Sequence, residues 1–233
     1  MKRLILFDID GTLLSTNGAA RRAFHAALLH VYGTAGPIDT HAFDGKTDPQ
    51  IARELLTQAG LSHEEIDAAL PRLFESYLAA MADEVAQPGH NTSVYPGVRE
   101  TLAALQARTD VLVGLLTGNI AAGAALKLQS VGIDGYFQLG AYGSDSEQRS
   151  DLPAIAVRRA LEKTGIAFQG KDVVIVGDTP HDVSCGRALG VFALAVCTGR
   201  HSRERLLAEG ADLVLDDLSD TARVLDILTG RPV

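Results

Sequence analysis

Cysteine is scarce in this chain: only Cys185 and Cys197 occur in 233 residues. Two thiols without CxxC spacing exclude a disulfide scaffold and a zinc or dithiol redox site, so an apolar core must hold the fold and a reducing compartment suits it. Lysine and arginine form no long block either, and the net charge is −8. That balance offers no basic track for a nucleic-acid backbone or an anionic membrane surface. Long apolar runs are missing as well. The opening stretch MKRLILFDID places basic charge before apolar residues, but Asp8 arrives too soon for a signal h-region or a membrane span. The expectations are no nucleic acid, no membrane and a cytoplasmic address.

What the chain does contain is a globular composition, 46% hydrophobic and 21% charged, without long polar tracts or repeats. Residues 4–9 form a short apolar run cut off by Asp10-Gly11, the pattern of a strand buried on both faces that ends in a tight turn. Residues 111–116, 172–176 and 191–196 repeat it, each followed by polar or glycine-rich residues and then helical periodicity. Amphipathic stretches at 98–107, 121–131, 153–164 and 182–189 alternate with these runs, as in right-handed crossover units. A shorter pair, 211–215 and 219–228, completes the far edge. The expected fold class is α/β, a doubly wound parallel sheet covered by helices.

Residues 14–91 break this rhythm. They carry helical periodicity at 19–32, 49–59 and 64–84 but no convincing buried strand, and so read as an inserted helical module. The turn-rich stretches Gln87-Pro-Gly-His-Asn91 and Tyr95-Pro-Gly97 return the chain to the core. The expected organisation is a core of residues 1–13 and 92–233 with a helical cap of residues 14–91.

In such a sheet the loops leaving the carboxyl ends of the strands converge on the ligand crevice. Asp8-Ile-Asp10-Gly-Thr12 follows the first strand, Thr117-Gly-Asn119 the second, and Gly177-Asp178-Thr-Pro-His-Asp182 the run at 172–176. Residues 143–151, with Arg149, follow a weaker apolar run at 136–139. This set, in this order, resembles the haloacid dehalogenase superfamily of phosphohydrolases across the whole core. The overall pattern looks like the phosphoglycolate phosphatase group and related small-metabolite phosphatases, which implies a small phosphorylated metabolite as partner.

The residues also argue chemically. A carboxylate at the end of a buried strand can attack phosphorus and hold the group as an acyl phosphate, and Asp8 is placed for that. Asp10, two residues on, returns to the same side of the extended chain and is the expected general acid and base. The Thr117 hydroxyl and the amides around Gly118 and Asn119 are the expected donors to the phosphoryl oxygens. Clustered carboxylates at Asp8, Asp10, Asp178 and Asp182 repel one another unless a cation balances them, and Mg2+ suits oxygen ligands. The resemblance implies that the Asp8 carboxylate, the Asp10 backbone carbonyl and the Asp178 carboxylate bind it, with Asp182 supporting from nearby.

The third motif departs from the family, which usually carries a lysine there to neutralise Asp8 and the phosphate. Arg149 is the expected substitute, with a planar fork in place of a compact charge. Lys163, on the following helix, is the second candidate. In the insert, Asp48 before Pro49 reads as a helix N-cap. The resemblance implies that the neighbouring Lys46 and Thr47 face the leaving group. His181 reads as a surface or packing residue and Cys185 as a small buried hydrophobe.

The expected activity is magnesium-dependent hydrolysis of a phosphomonoester. A sugar-phosphate mutase of the β-phosphoglucomutase kind would share Asp8 and Asp10 but return the phosphoryl group to a sugar hydroxyl. A non-catalytic phosphate-binding relative would keep the fold alone, and the intact Asp8, Asp10, Thr117 and Asp178 argue against it. Substrate and oligomeric state stay open at this level.

Overall fold

A computed structural model describes residues 3–87 and 91–230. Strand β1 (Arg3–Phe7) lies inside a six-stranded sheet, pairing parallel with β4 (Val111–Thr117) on one side and β6 (Val173–Gly177) on the other. Beyond β4 lies β5 (Leu139–Tyr142), and beyond β6 lie β7 (Phe192–Val196) and β8 (Leu213–Leu215). The order is β5-β4-β1-β6-β7-β8, every pair parallel. The chain builds outward from β1 in one direction, then returns to build in the other, so the switch point lies at β1 and its neighbours.

Side chains alternate between the two faces, and both faces are covered. Ile5, Phe7, Val113, Leu115, Val174 and Val176 pack with helices α4 (Val98–Gln106), α5 (Ala121–Ser130) and α9 (Thr221–Thr229). Leu4, Leu6, Leu112, Leu116, Val173 and Ile175 pack with α6 (Leu152–Thr164) and with Cys185 of α7 (Pro180–Cys185). Burial on both sides is why these strands read as continuous apolar runs.

The helices α1 (Ala19–Tyr32), α2 (Asp48–Gln58) and α3 (His63–Ala86) have an apolar core of their own, centred on Phe24, Leu28, Ile51, Leu55, Leu73, Tyr77 and Met81. Ile120, from the loop after β4, joins that cluster. A capping box starts α3: the Ser62 amide donates to Glu65 Oε2 at 2.8 Å, and the Glu65 amide donates to Ser62 Oγ at 3.3 Å. The unit leaves and rejoins the sheet layer through an antiparallel pair, β2 (Leu14–Ser15) with β3 (Ser93–Val94).

Several local expectations change. The strand expected at 136–139 starts only at Leu139, because Asp134–Tyr136 forms a 3-10 turn. The helix expected at 182–189 begins at Pro180, under the Thr179 cap, and stops at Cys185. Gly186 follows, and Arg187–Leu189 is a separate 3-10 turn. Helix α8 (Arg203–Glu209) was not anticipated, since it buries only Leu206 and so shows no apolar stripe. The pair β2 and β3 was missed for want of length, two residues being too few to show a period. Pro88, Gly89 and His90 of the expected linker lie outside the described residues.

Leu6 is fully buried between β1 and α6. Leu6→Ala should cost about 2–5 kcal/mol of unfolding free energy. Denaturant titration checks this, and a cost well under 1 kcal/mol would contradict the packing.

Candidate active site

The carboxyl ends of β1, β4 and β6 and the inner faces of α1–α3 enclose a cavity of about 330 Å³. Asp8 follows β1 directly, and its amide donates to the Val176 carbonyl at 2.9 Å, which fixes it at the strand end. Gly11 then turns with φ +84°, and a Cβ on it would lie 2.3 Å from Asp178 Oδ2. Glycine is therefore required both for the turn and for the approach. The turn delivers the Thr12 hydroxyl to Asp178 Oδ1 at 2.9 Å.

Asp8, Asp178 and Asp182 are all buried, and one carboxylate oxygen from each lies within 4.8 Å of the others. Arg149, in the 3-10 turn Arg149–Asp151 ahead of α6, is buried beside them. Its Nη2 pairs with Asp182 and lies 3.3 Å from Asp8 Oδ1. Burial alone would lower the pKa of this guanidinium, but Asp182 and Asp8 outweigh burial and raise it, so the charge is secure. Its Nε is buried with no hydrogen-bond partner among the described residues. Asp182 also closes a capping box, its Oδ2 accepting from the Thr179 amide at 2.9 Å and the Thr179 hydroxyl at 2.7 Å.

The charge balance here is incomplete. Burial first, then the proximity of Asp182 and Asp10, push the Asp8 carboxyl up to about 7 despite Arg149. Burial and the charges of Asp182 and Asp8 likewise raise Asp178 well above the ordinary carboxylate range. Because Asp182 is already held by Arg149 and Thr179, the oxygens left to share a cation are those of Asp8 and Asp178. An all-oxygen, buried, under-neutralised pair fits a hard divalent ion.

A second group of side chains lies across the cavity. Asp10 Oδ2 accepts from Asn119 Nδ2 at 2.8 Å and from Lys127 Nζ at 2.7 Å. Lys127 also donates to Asn119 Oδ1 at 2.6 Å, and Asn119 Nδ2 lies 2.8 Å from Thr117 Oγ1. Lys127 comes from α5 and is buried. Sequence reasoning missed it because a lysine inside a helical pattern reads as a solvated face. The available signal was its company, since Ala124 and Leu128, three residues before and one after, belong to the buried side of α5.

From the helical unit, Asp48 proves not to be the N-cap of α2. Thr47 is the cap, its Oγ1 accepting from the Gln50 amide at 3.2 Å, and Pro49 follows Asp48 inside the first turn. The Thr47 hydroxyl also donates to the Glu147 carbonyl at 2.8 Å, and the residue is fully buried and absent from the cavity lining. Thr47 thus caps a helix where substrate contact was expected. Asp48 instead crosses to the core: its Oδ2 accepts from the Ile120 amide at 2.8 Å, and its own amide donates to the Gly118 carbonyl at 2.8 Å. Burial raises its carboxyl to about 6. Gly118 permits this approach, since a Cβ there would lie 2.0 Å from the Lys46 carbonyl. Lys46 lines the cavity with its ammonium 2.5 Å from Glu54 Oε2.

Thr117, Gly118 and Asn119 also line the cavity. Lys163 is exposed on α6 and not part of it. His181 lies outside the lining, packed beside Gly45. Cys185 is buried, and burial pushes its thiol up to about 12.

The sequence profile of the haloacid dehalogenase-like hydrolases matches residues 5–196. The chain belongs to that family. It is 30% identical to a phosphoglycolate phosphatase of Pseudomonas putida over 219 residues, 94% of this chain and 78% of the relative. A hydrolase from Pseudomonas syringae superposes with a TM-score of 0.71 at 21% identity, covering 97% and 98% of the two chains. A β-phosphoglucomutase candidate from Bacteroides vulgatus superposes at 0.67 with 22% identity, covering 97% and 88%. These two likenesses establish the haloacid dehalogenase-like fold, a parallel sheet with a helical cap. The chain is a hydrolase by family, and its curated relatives are phosphatases. Among the described residues no helix is long and apolar enough to cross a membrane.

The raised carboxyl of Asp8 has a consequence for stability. Without a cation the folded protein holds that proton up to about pH 7, against an ordinary value of 3.8. The folded state therefore binds more protons than the unfolded state across that interval, and stability falls as pH rises through it. Asp8→Asn escapes the loss. In EDTA its melting temperature should exceed the wild type's by a margin that widens between mildly acidic and mildly alkaline pH, and Mg2+ should narrow it at the alkaline end. A margin independent of pH would contradict the buried, under-neutralised state of Asp8.

Proposed function

We propose that this hydrolase is a magnesium-dependent phosphatase of small phosphorylated metabolites, phosphoglycolate-phosphatase-like, working through an aspartyl-phosphate on Asp8. One observation carries the reading: Asp8 and Asp10 face a single cavity from the end of a central strand, with Arg149 on the first and Asn119 on the second. The relation to phosphoglycolate phosphatases supports the reaction class.

In this mechanism an Asp8 oxygen attacks phosphorus and the bond to the leaving oxygen breaks, while Asp10 hands its proton to the departing alkoxide. Water then attacks the acyl phosphate, Asp10 takes a proton from it, and the phosphorus–Asp8 bond breaks to release inorganic phosphate. Thr117 and the amides of Gly118 and Asn119 donate to the phosphoryl oxygens as charge spreads over them. Arg149 orients Asp8 and favours its ionised form, and the metal completes the neutralisation. The carboxylates of Asp8 and Asp178, with the Asp10 carbonyl, would hold Mg2+, and Asp182 would orient Arg149. When bound, the ion supplies charge neutralisation that lets an anionic nucleophile approach an anionic ester.

The helical unit, residues 14–91, acts as a cap that excludes water from the first displacement. Lys46 faces the leaving group from that side. A cytoplasmic setting, with its supply of phosphorylated metabolites and magnesium, completes the proposal.

Phosphate release from 2-phosphoglycolate and a panel of phosphomonoesters, with Mg2+ or EDTA, tests this reading. Activity should require the metal and fall to background in Asp8→Asn. Thr117→Val should lose about 100-fold in kcat. Arg149→Ala should be severely impaired while Lys163→Ala is not. Conversion of a hexose 1-phosphate to the 6-phosphate without phosphate release would replace the hydrolase by a mutase. No turnover across the panel would leave a phosphate-binding protein.

A further inference from the structure

Arg149 accounts for one half of what a third-motif lysine would do, since it neutralises Asp8. It does not reach the other side of the cavity. There a different cation stands, on a helix that none of the motifs includes.

Lys127 is 3% exposed, and the ammonium has two acceptors: Asp10 Oδ2 at 2.7 Å and Asn119 Oδ1 at 2.6 Å. Removing an ammonium from water to that depth is costly and persists only with close partners. Its surroundings explain why it stays charged. Burial disfavours the ammonium, but Asp10, then Tyr77 from α3 and Asp48 from α2, favour it, and the net shift is upward. The result is a fixed cation that cannot turn to solvent.

The geometry at Asp10 is equally specific. Its side chain stays 43% exposed toward the cavity, yet Oδ2 is pinned by two donors from two elements, Lys127 and Asn119. Oδ1 has no such anchor among the described residues and is the oxygen left to exchange a proton with a ligand. Asn119 serves both Asp10 and the Thr117 hydroxyl, so moving Lys127 would loosen the Asn119 amide and the Asp10 carboxylate together.

We propose that Lys127 is a positioning residue for the proton-transfer step: together with Asn119 it clamps Oδ2 of Asp10, so that Oδ1 meets the leaving oxygen. The inference rests on the reading of Asp10 as general acid and base. Lys127 acts through Asp10, and the division of labour is Arg149 for the nucleophile and Lys127 for the acid.

The test uses the dependence of kcat/KM on leaving group, because kcat/KM reports the first displacement alone when that displacement is irreversible. An alkyl phosphate such as 2-phosphoglycolate expels a basic alkoxide and needs the acid, whereas p-nitrophenyl phosphate and acetyl phosphate expel weak bases and hardly need it. In Lys127→Met, kcat/KM for the alkyl ester should fall about 100-fold, in the range of a lost general acid, and that for the two activated esters by less than about 10-fold. Asp10→Asn should show the same ordering, more strongly. Lys127→Arg, which keeps the charge, should recover part of the alkyl-ester activity.

Equal losses on all three substrates in a folded Lys127→Met protein, or no loss on any, would overturn the proposal. Should the methionine variant fail to fold, Lys127→Arg carries the same reading: a loss graded by leaving group supports it, and a uniform one overturns it. The underlying mechanism fails separately, in the case that Asp10→Asn retains full alkyl-ester activity. Then Asp10 is not the acid, whatever Lys127 does.

Discussion

The interaction on which the rest depends is the pairing of a buried guanidinium with two buried carboxylates at the end of the sheet. Arg149 lies between Asp8 and Asp182, and all three are removed from water. Ion pairs at that depth give little net stability, because desolvating each charge cancels most of the attraction. What the pairing sets is position. Asp182 is locked by the Thr179 capping box, Arg149 is held by Asp182, and Asp8 is met by Arg149 while its own amide is tied to β6. Both oxygens of Asp182 are thereby engaged by protein donors, which leaves Asp8 and Asp178 as the under-neutralised pair.

Sheet topology explains why these groups meet at all. Motifs separated by more than a hundred residues converge because β1, β4 and β6 are adjacent and parallel, so their carboxyl ends open into one cavity. This much was legible in the chain. Apolar runs ending in Asp, Thr or Gly name both a strand and the residue it presents, and Asp8, Asp10, Thr117 and Asp178 line the cavity as a result, while Arg149 joins them from the turn ahead of α6.

What escaped the sequence had a common physical character. Lys127 and Asp48 are charged residues whose decisive partners, Asp10 and the Ile120 amide, lie far off in the chain: the period of α5 could place Lys127 on its buried side, but no local pattern names those partners. Asp48 also shows how a local rule yields to tertiary context. Asp before Pro is a good capping pattern, but Thr47 one residue earlier can cap as well, and only the Ile120 amide across the cavity decides which takes the role. Thr47 caps, and the stronger acceptor goes to the more distant donor. Helix α8 and the two-residue strands fell below what periodicity can resolve.

The contact between Asp48 and the loop after β4 has a further structural meaning. Two hydrogen bonds join α2 to that loop, one in each direction: Asp48 N to Gly118 O and Ile120 N to Asp48 Oδ2. The same loop presents Thr117 and Asn119 to the cavity. Moving the helical unit away would break both bonds at the backbone that aims the proposed phosphoryl donors. It would also take Asp48 and Tyr77 from the neighbourhood of Lys127. Asp48 would then gain water, while Lys127 would lose two of the groups that make its burial tolerable. This arrangement is therefore the one in which the proposed donors, the proposed clamp on Asp10 and the proposed water-excluding wall coincide. A substrate that favours this arrangement would assemble all three by the same motion, which is how binding energy spent on the leaving group can be recovered in the chemical step.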